Sequence, residues 1–553
     1  MSTKFATKTG RVAAGGSLLV GGVAGALVLA PRAGAATTFH VTTTSDSGAG
    51  SLRQAVTDAN NNAGADIIVF DASSAGTITL TSGQLAIHQD VTITGLGAAD
   101  SIISGNHGSR IFYLYDGTSA LTVSISGLTL TEGYAANSGG AIKSKGNDLT
   151  LSEVTITGNS AARGGGGVYV GDYGSRHAPF TMSDSEISNN TAVGNGGGLC
   201  LYQVGDTTIT NTFVSGNSSF NNHGAGASFV SVGNVSLENS RFDGNQSYLN
   251  GGGAFLYRVG NVSIADSYFG NEVRYGGGGG ASISYAGDVL ITSTSFVGNT
   301  AYQDGGALYA AHTNSLTITN STVSENRAQD GAGLELSSNG NLLIANSTIA
   351  NNVGDSLNGD GGALYSFAAT GNTRIMFSTI SGNSTKNNTV LLTGSNSPHS
   401  VEIIGTIISD NTTSQGSGTQ AVDLYLSGSG SFTVSSSLIM GTSIGGFTDG
   451  GANIYGVSAQ LGALADNGGA IGTMQPAAGS PVIDAGPLSW IAFAGDGFDE
   501  RATPYVRVYN GQSDMGAVEV QSEPTPPSTT TTVVPDDTTT TVGTDPVVPA
   551  FTG

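Results

Sequence analysis

VGNTAYQDGGALYAAHTNSLTITNSTVSENRAQDGAGLELSS (297–338) holds two copies of one pattern. Asn299 and Asn326 each follow an apolar residue by two or three positions, in FVGN and VSEN, and stand 27 residues apart. Gly306 and Gly333 close a glycine-rich turn at the same spacing of 27. Working outward, the turn marker falls at Gly140, Gly167, Gly198, Gly226, Gly253, Gly280, Gly306, Gly333 and Gly362. The asparagine falls at Asn159, Asn190, Asn217, Asn245, Asn271, Asn299, Asn326, Asn352, Asn383 and Asn411. Two markers that keep phase across ~250 residues define a repeat protein.

Inside each repeat the period is two. Val323, Ile318 and Leu316 lie 3, 8 and 10 residues before Asn326, and Ile349, Ile344 and Leu342 keep those offsets from Asn352. Five residues before the asparagine stands Ser or Thr, as at Thr212, Ser240, Thr294, Ser321, Ser347, Ser378 and Thr406. Ile264 sits only 7 residues before Asn271, which predicts a one-residue deletion in that coil. Short strands with one apolar face cannot bury that face alone, but a stack of them can. The expectation is an all-β parallel solenoid of ~27-residue coils spaced ~4.8 Å apart, with Asn and Ser/Thr ladders between coils. About twelve coils between Asn106 and Asn411 would make a shaft roughly 55–60 Å long. The N-x-S/T strings at Asn320 and Asn346 read as part of that ladder chemistry rather than as glycosylation sites.

Composition agrees. Glycine supplies 86 of 553 residues, prolines number only 13, and charged residues are 10%. Collagen would need far more proline, ordinary disorder more charge or fewer apolar residues, and a helical protein far less glycine. Mean hydropathy is +0.03. The formal charge of −22 argues against nucleic acid, whose phosphates need clustered Lys and Arg, and disfavours anionic polymers. Cys200 is the only cysteine, so no intrachain disulfide can form.

The ends differ from the middle. Lys4, Lys8 and Arg11 precede an apolar stretch from Val12 to Ala30, and Ala33-Gly34-Ala35 matches an A-x-A cleavage site. This reads as an export signal cleaved near Ala35, leaving a mature chain with no membrane span, extracellular or at the cell surface or wall. Ser51-Leu52-Arg53-Gln54 has the S-x-x-Q form of a capping box, and Leu52, Ala55, Val56 and Ala59 share one helical face. That helix is expected to lid the first coil. After Gln521 the chain turns Thr/Pro-rich and cannot build a core. The organisation is then an export signal (1–35), N-terminal cap and first coils (36–105), β-helix repeats (106–455), C-terminal cap (456–521) and disordered tail (522–553).

The stretch 48–71, GAGSLRQAVTDANNNAGADIIVFD, resembles the CSLREAI motif at the start of secreted bacterial right-handed parallel β-helix proteins, with Gly50 in place of cysteine and Gln54 in place of glutamate. The repeats resemble the GGAI and FxxN repeats of polymorphic-outer-membrane-protein-like β-helices. QLGALADNGGAIGTMQPAAGSPVIDAG (460–486), DERATP (499–504) and DMGAVE (514–519) resemble the choice-of-anchor Q domain. Together these resemblances imply a right-handed, pectin-lyase-like β-helix at a cell surface, and no single activity.

Two groups of residues could carry function. Positions +2 and +4 after the turn marker should face outward, and Tyr169, Tyr202, Phe255 and Tyr257 occupy them. They are candidate ligand-binding residues, an aromatic stripe on which sugar rings could stack. Asp304 and Asp360 share one column two coils apart, about 9–10 Å, with Asp330 between them and Glu335 nearby. That separation is at the upper edge for an inverting glycosidase, so Asp304, Asp330, Glu335 and Asp360 are the candidate catalytic residues. Aspartate also favours the approach to a tight turn. The histidines show no metal spacing and no cofactor is expected, though the same carboxylates could hold Ca2+. The leading expectation is a non-catalytic adhesive, structural or glycan-binding monomer whose partner is a polysaccharide or a cell surface. The alternative is a polysaccharide lyase or glycoside hydrolase on the same scaffold.

Overall fold

The computed structural model describes residues 34–521 apart from 116, 118–119, 172–176, 356–360, 368, 387–390, 396–398, 414–421, 429, 445 and 488–496. The expected export signal up to residue 33 and the expected tail lie outside the described residues. Strands stack in parallel into a solenoid of about 13 turns. In one coil, Ala281–Ser284 follows the glycine turn, Asp288–Thr292 forms the second face and Ser295–Val297 the third. Each pairs with its counterpart in the next coil: Ala281 with Leu308, Val289 with Leu316, Phe296 with Val323. Alternation sends Ala281, Ile283, Val289, Ile291 and Phe296 inward, and all are buried. Phe242, Phe269 and Phe296 stack with centroids 4.9 and 4.8 Å apart, the spacing of neighbouring strands.

The asparagine column forms a continuous buried ladder. Asn299 Nδ2 donates to Asn326 Oδ1 (2.8 Å) and to the Phe269 carbonyl of the preceding coil (2.8 Å), while its own Oδ1 accepts from the Asn271 amide (2.8 Å). The rungs run from Asn159 to Asn411, where Asp423 accepts the last amide hydrogen (3.1 Å). Corner backbone groups that no strand can pair are satisfied in this way. The Ser/Thr column repeats the device: the Thr294 amide donates to Ser321 Oγ, and the Ser321 amide to Ser347 Oγ. Within the N-x-S/T strings the serine joins this ladder, and the asparagines add a rung of their own, Asn346 Nδ2 donating to Asn320 Oδ1 (3.1 Å). Asn320 and Asn346 occupy the preceding corner in the left-handed region, with φ of 49° and 50°.

The predicted deletion is present. Asp243 pairs with Gly270 but Gln246 pairs with Glu272, so Gly244 and Asn245 oppose Asn271 alone. The glycine corner is missing there, and Tyr268–Val273 runs through as one strand.

Helix α1 (Leu52–Asn61) buries Leu52, Ala55, Val56 and Ala59 in the core at the first coils. Ser51 Oγ accepts from the Gln54 amide at 3.2 Å. The reciprocal half of the capping box is absent, because Gln54 Nε2 donates to Asp58 instead (2.8 Å). Gly50, where the resembling motif has cysteine, has φ +76°, and a Cβ there would lie 2.2 Å from Thr42 Oγ1. The Thr42 side chain occupies the room a cysteine would need.

The described residues of 456–521 run back along the outside of the third face. Thr322 Oγ1 donates to the Gly472 carbonyl (2.6 Å), the Ala517 amide to Thr379 Oγ1 (3.0 Å), and the Gly516 amide to the Gly405 carbonyl (2.7 Å). Met515 and Val482 pack on Ile407 and Leu438. This brace explains a change in the outward row: Glu186, Phe213, Arg241 and Tyr268 in early coils give way to Thr348, Thr379, Ile407 and Leu438 beneath it.

Candidate functional site

The turn before the first face decides what its outer surface can do. Gly305 and Gly331 have φ of +58° and +50°, and a Cβ on Gly331 would lie 2.8 Å from Glu335 Cβ. The chain thus folds tightly over one outward row, Tyr169, Cys200, Ser228, Phe255, Ser282, Tyr309, Glu335 and Tyr365, which pair coil to coil; Tyr309 and Tyr365 belong to it although they stand three residues after Gly306 and Gly362, because the marker there sits one residue early.

This roof corrects the expectation of one exposed aromatic stripe. Tyr169 and Phe255 do point off the sheet, yet they are only 8% and 7% exposed. His223, from the turn column, stacks on Phe255 with centroids 4.3 Å apart, and its burial pulls its pKa down to about 4. Tyr202 and Tyr257 are half-buried. Cys200 and Ser228 also interrupt the row with side chains too small to carry ring contact. Tyr169 and Tyr202 line a groove of about 430 Å3, while Phe255 and Tyr257 stack on each other (6.2 Å) and Tyr257 meets Tyr285 (5.5 Å). The Cys200 thiol is buried and pushed up to about 12, which removes it as a nucleophile.

The carboxylates come together as far as they are described. Asp304 and Asp330 face each other across neighbouring coils in a parallel bridge, and Glu335 stands beside Tyr309. Burial, with Asp304 and Asp330 adding repulsion, raises Glu335 to about 9. Burial and Asp330 raise Asp304 to about 6, and burial with Glu335 raises Tyr309. Glu335 is 5% exposed, and its Oε2 has no hydrogen-bond partner among the described residues. Asp360 lies outside the described residues. His312 stacks on Tyr285 at 4.6 Å. Among the described residues no three carboxylate, histidine or cysteine groups are placed to share a metal ion.

Glu335 therefore keeps its proton at neutral pH, but the turn shields it from any polymer. Its raised pKa makes the folded state bind the proton more tightly than the unfolded chain. Stability attributable to this site must then fall as pH rises from about 4.5 toward 9. Glu335→Gln is expected to leave stability at pH 4 unchanged and to raise it at pH 8 by roughly 2–4 kcal/mol, checked by urea unfolding at both pH values.

An exposed aromatic row does exist, elsewhere. Phe220, Tyr248, Tyr275 and Tyr302 project from successive coils just before the turn, and Tyr275 and Tyr302 are 52% and 54% exposed. Centroids are 4.7 Å apart from Tyr248 to Tyr275 and 5.9 Å from Tyr275 to Tyr302. Tyr248, Tyr275 and Tyr302 border a groove of about 770 Å3 that also contains Glu272, Arg274, Thr300, Arg327 and Asp355. The signal was in the sequence: an aromatic three residues after Asn217, Asn245 and Asn299, and four after Asn271. The turn frame hides it, and the deletion at Asn271 blurs its spacing.

The sequence matches a family model described as a right-handed beta helix region, over residues 174–328 and 225–402. The fold is a right-handed parallel β-helix. The chain is similar to the crystal structure of pectate lyase Pel9A, at 15% identity, covering 88% of this chain and 98% of that one, with a TM-score of 0.24. It is also similar to the ORF18 protein of Geobacillus virus E2, at 12% identity, covering 66% and 62%, with a TM-score of 0.18. No curated protein matches the sequence.

Proposed function

We propose that this right-handed parallel β-helix is a secreted or cell-surface protein with a non-catalytic role, adhesive or structural, in which the rigid shaft presents a glycan-binding face. The observation that carries the reading is the burial of Glu335. A general acid must touch the bond it protonates, and this one lies under the turn at 5% exposure. Support for localisation comes from the leader-like residues 1–35, the choice-of-anchor Q resemblance over 460–519, the polymorphic-outer-membrane-protein-like repeats and the Thr/Pro-rich 522–553. No helix among the described residues is long and apolar enough to cross a membrane.

The enzymatic alternative draws on the raised pKa values of Asp304 and Glu335, a pattern that active sites share. The two readings separate in one assay. Full-length protein incubated with a panel of plant and microbial polysaccharides is expected to release neither reducing ends nor unsaturated uronides. Turnover of any polymer that disappears in Asp304→Asn or Asp330→Asn would overturn the non-catalytic role.

A further inference from the structure

The geometry points to the groove beside Tyr248, Tyr275 and Tyr302 as the site where a linear, neutral polysaccharide lies along the shaft axis. This rests on the glycan-binding reading above and assigns it to a surface that the expected stripe did not include.

Two parallel rows build the groove. One is the aromatic row. The other is a polar row in which Gln246 pairs with Glu272, Glu272 bridges to Thr300, and Thr300 bridges to Arg327. From Gln246 to Thr300 each coil offers one ring and one hydrogen-bonding group, repeated at the ~4.8 Å rise of stacked strands. That rise is close to the length of one pyranose unit in an extended chain. A polymer of such units can keep register with the coils, placing C–H faces on rings and hydroxyls on the polar row. The tilts of 47° and 51° between neighbouring rings leave part of each face open.

The charges select against a polyanion. Arg327 Nε is 2.6 Å from Asp355, and Lys386 Nζ lies 3.6 Å from the same carboxylate. Arg274 Nη2 donates to Gln246 Oε1 (2.6 Å), whose Nε2 donates to Glu272 (2.9 Å). The cations are thus engaged with the protein's own acceptors, and a chain of net charge −22 repels anionic polymers at long range. What the groove offers is a preformed hydrogen-bond network suited to hydroxyl groups.

The test is affinity electrophoresis of the full chain through gels containing cellulose derivatives, xylan, mannan or glycol chitin, with polygalacturonate as the anionic arm. At least one neutral polymer is expected to retard the protein, with little change at high salt. Tyr275→Ala with Tyr302→Ala should weaken that retardation about tenfold, as two lost ring contacts imply. Tyr202→Ala with Tyr257→Ala should leave it intact. The exposed rings make unfolding avoidable, and an unchanged thermal transition verifies it. Retardation lost only in the Tyr202/Tyr257 variant would overturn this assignment and leave glycan binding standing. Retardation by polygalacturonate alone, abolished by salt, would overturn the neutral class. Retardation by none of the polymers would overturn both the groove and the glycan-binding reading.

Discussion

Arg507→Ala is expected to release residues 456–521 from the side of the shaft. Arg507 is completely buried and joins the brace to the coils. Its Nη1 donates to the Gly516 carbonyl (2.9 Å), and its Nη2 to the Ala517 carbonyl (2.7 Å) and to Asn346 Oδ1, while the guanidinium lies 5.0 Å from the Phe377 ring centre. Around it stand Asp499, Glu500, Asp514 and Glu519, of which Asp499 pairs with Arg501 at 2.6 Å. Removing the guanidinium leaves the buried Gly516 carbonyl and Asn346 Oδ1 without this donor, at about 1–3 kcal/mol each, so a loss of roughly 2–6 kcal/mol is expected. The variant should show early proteolysis within 456–521 and bind a hydrophobic dye on the uncovered Ile407 and Leu438. Identical proteolysis of variant and wild type would show that the brace does not depend on this contact. Arg507→Lys, which keeps the charge but loses the fork, should fall between the two.

The same network gives the brace a pH dependence. Burial raises Glu500 well above its ordinary range, raises Glu519 to about 8 and raises Asp514, despite hydrogen bonds that each carboxyl accepts. The folded state therefore holds protons that the unfolded chain gives up near 4.5. Docking should be firm at pH 4 and weaken as pH climbs through 8. Protease sensitivity of 456–521 that rises with pH in the wild type is the corresponding readout.

The second large effect is expected at the centre of the shaft. Asn299→Ala removes the acceptor for the Asn271 amide and the donors for the Phe269 carbonyl and Asn326 Oδ1, all buried. Asn326 Oδ1 keeps the Asn299 backbone amide (2.8 Å), so the Asn271 amide and the Phe269 carbonyl are the stranded groups, and at about 1–3 kcal/mol each a loss of roughly 2–6 kcal/mol is expected in denaturant unfolding. Because coils contact only their neighbours, the damage should be local. Hydrogen exchange should accelerate at the Asn271 amide and in the flanking coils while the helix-capped end stays protected. Asn320→Ala, at a partly exposed left-handed corner where the side chain accepts one hydrogen bond from Asn346, provides the contrast and should cost about 1–2 kcal/mol. Equal effects at the two positions would mean that the ladder adds little beyond the strands.

Much of this structure was legible in the linear pattern. The Asn and Ser/Thr columns, the buried face of α1 and the deletion near Asn271 all follow from fixed spacing. In a solenoid, sequence period and spatial neighbour are almost the same thing. The carboxylates Asp304 and Asp330 were placed side by side by the same arithmetic.

What spacing could not convey was the path of the chain off the period. Alternation determines that Tyr169 and Phe255 point away from the sheet, but only the folded turn, with His223 laid on Phe255, decides that they are covered. The same roof turns Glu335 from an available acid into a shielded, protonated one. The brace is the clearest case: Arg507 meets Asn346 across 161 residues, a contact that no periodic rule contains. Sequence alone thus determined the coil, its core and its ladders, because they repeat. Tertiary structure decided which outward residues reach solvent, because accessibility depends on what other segments lie above them.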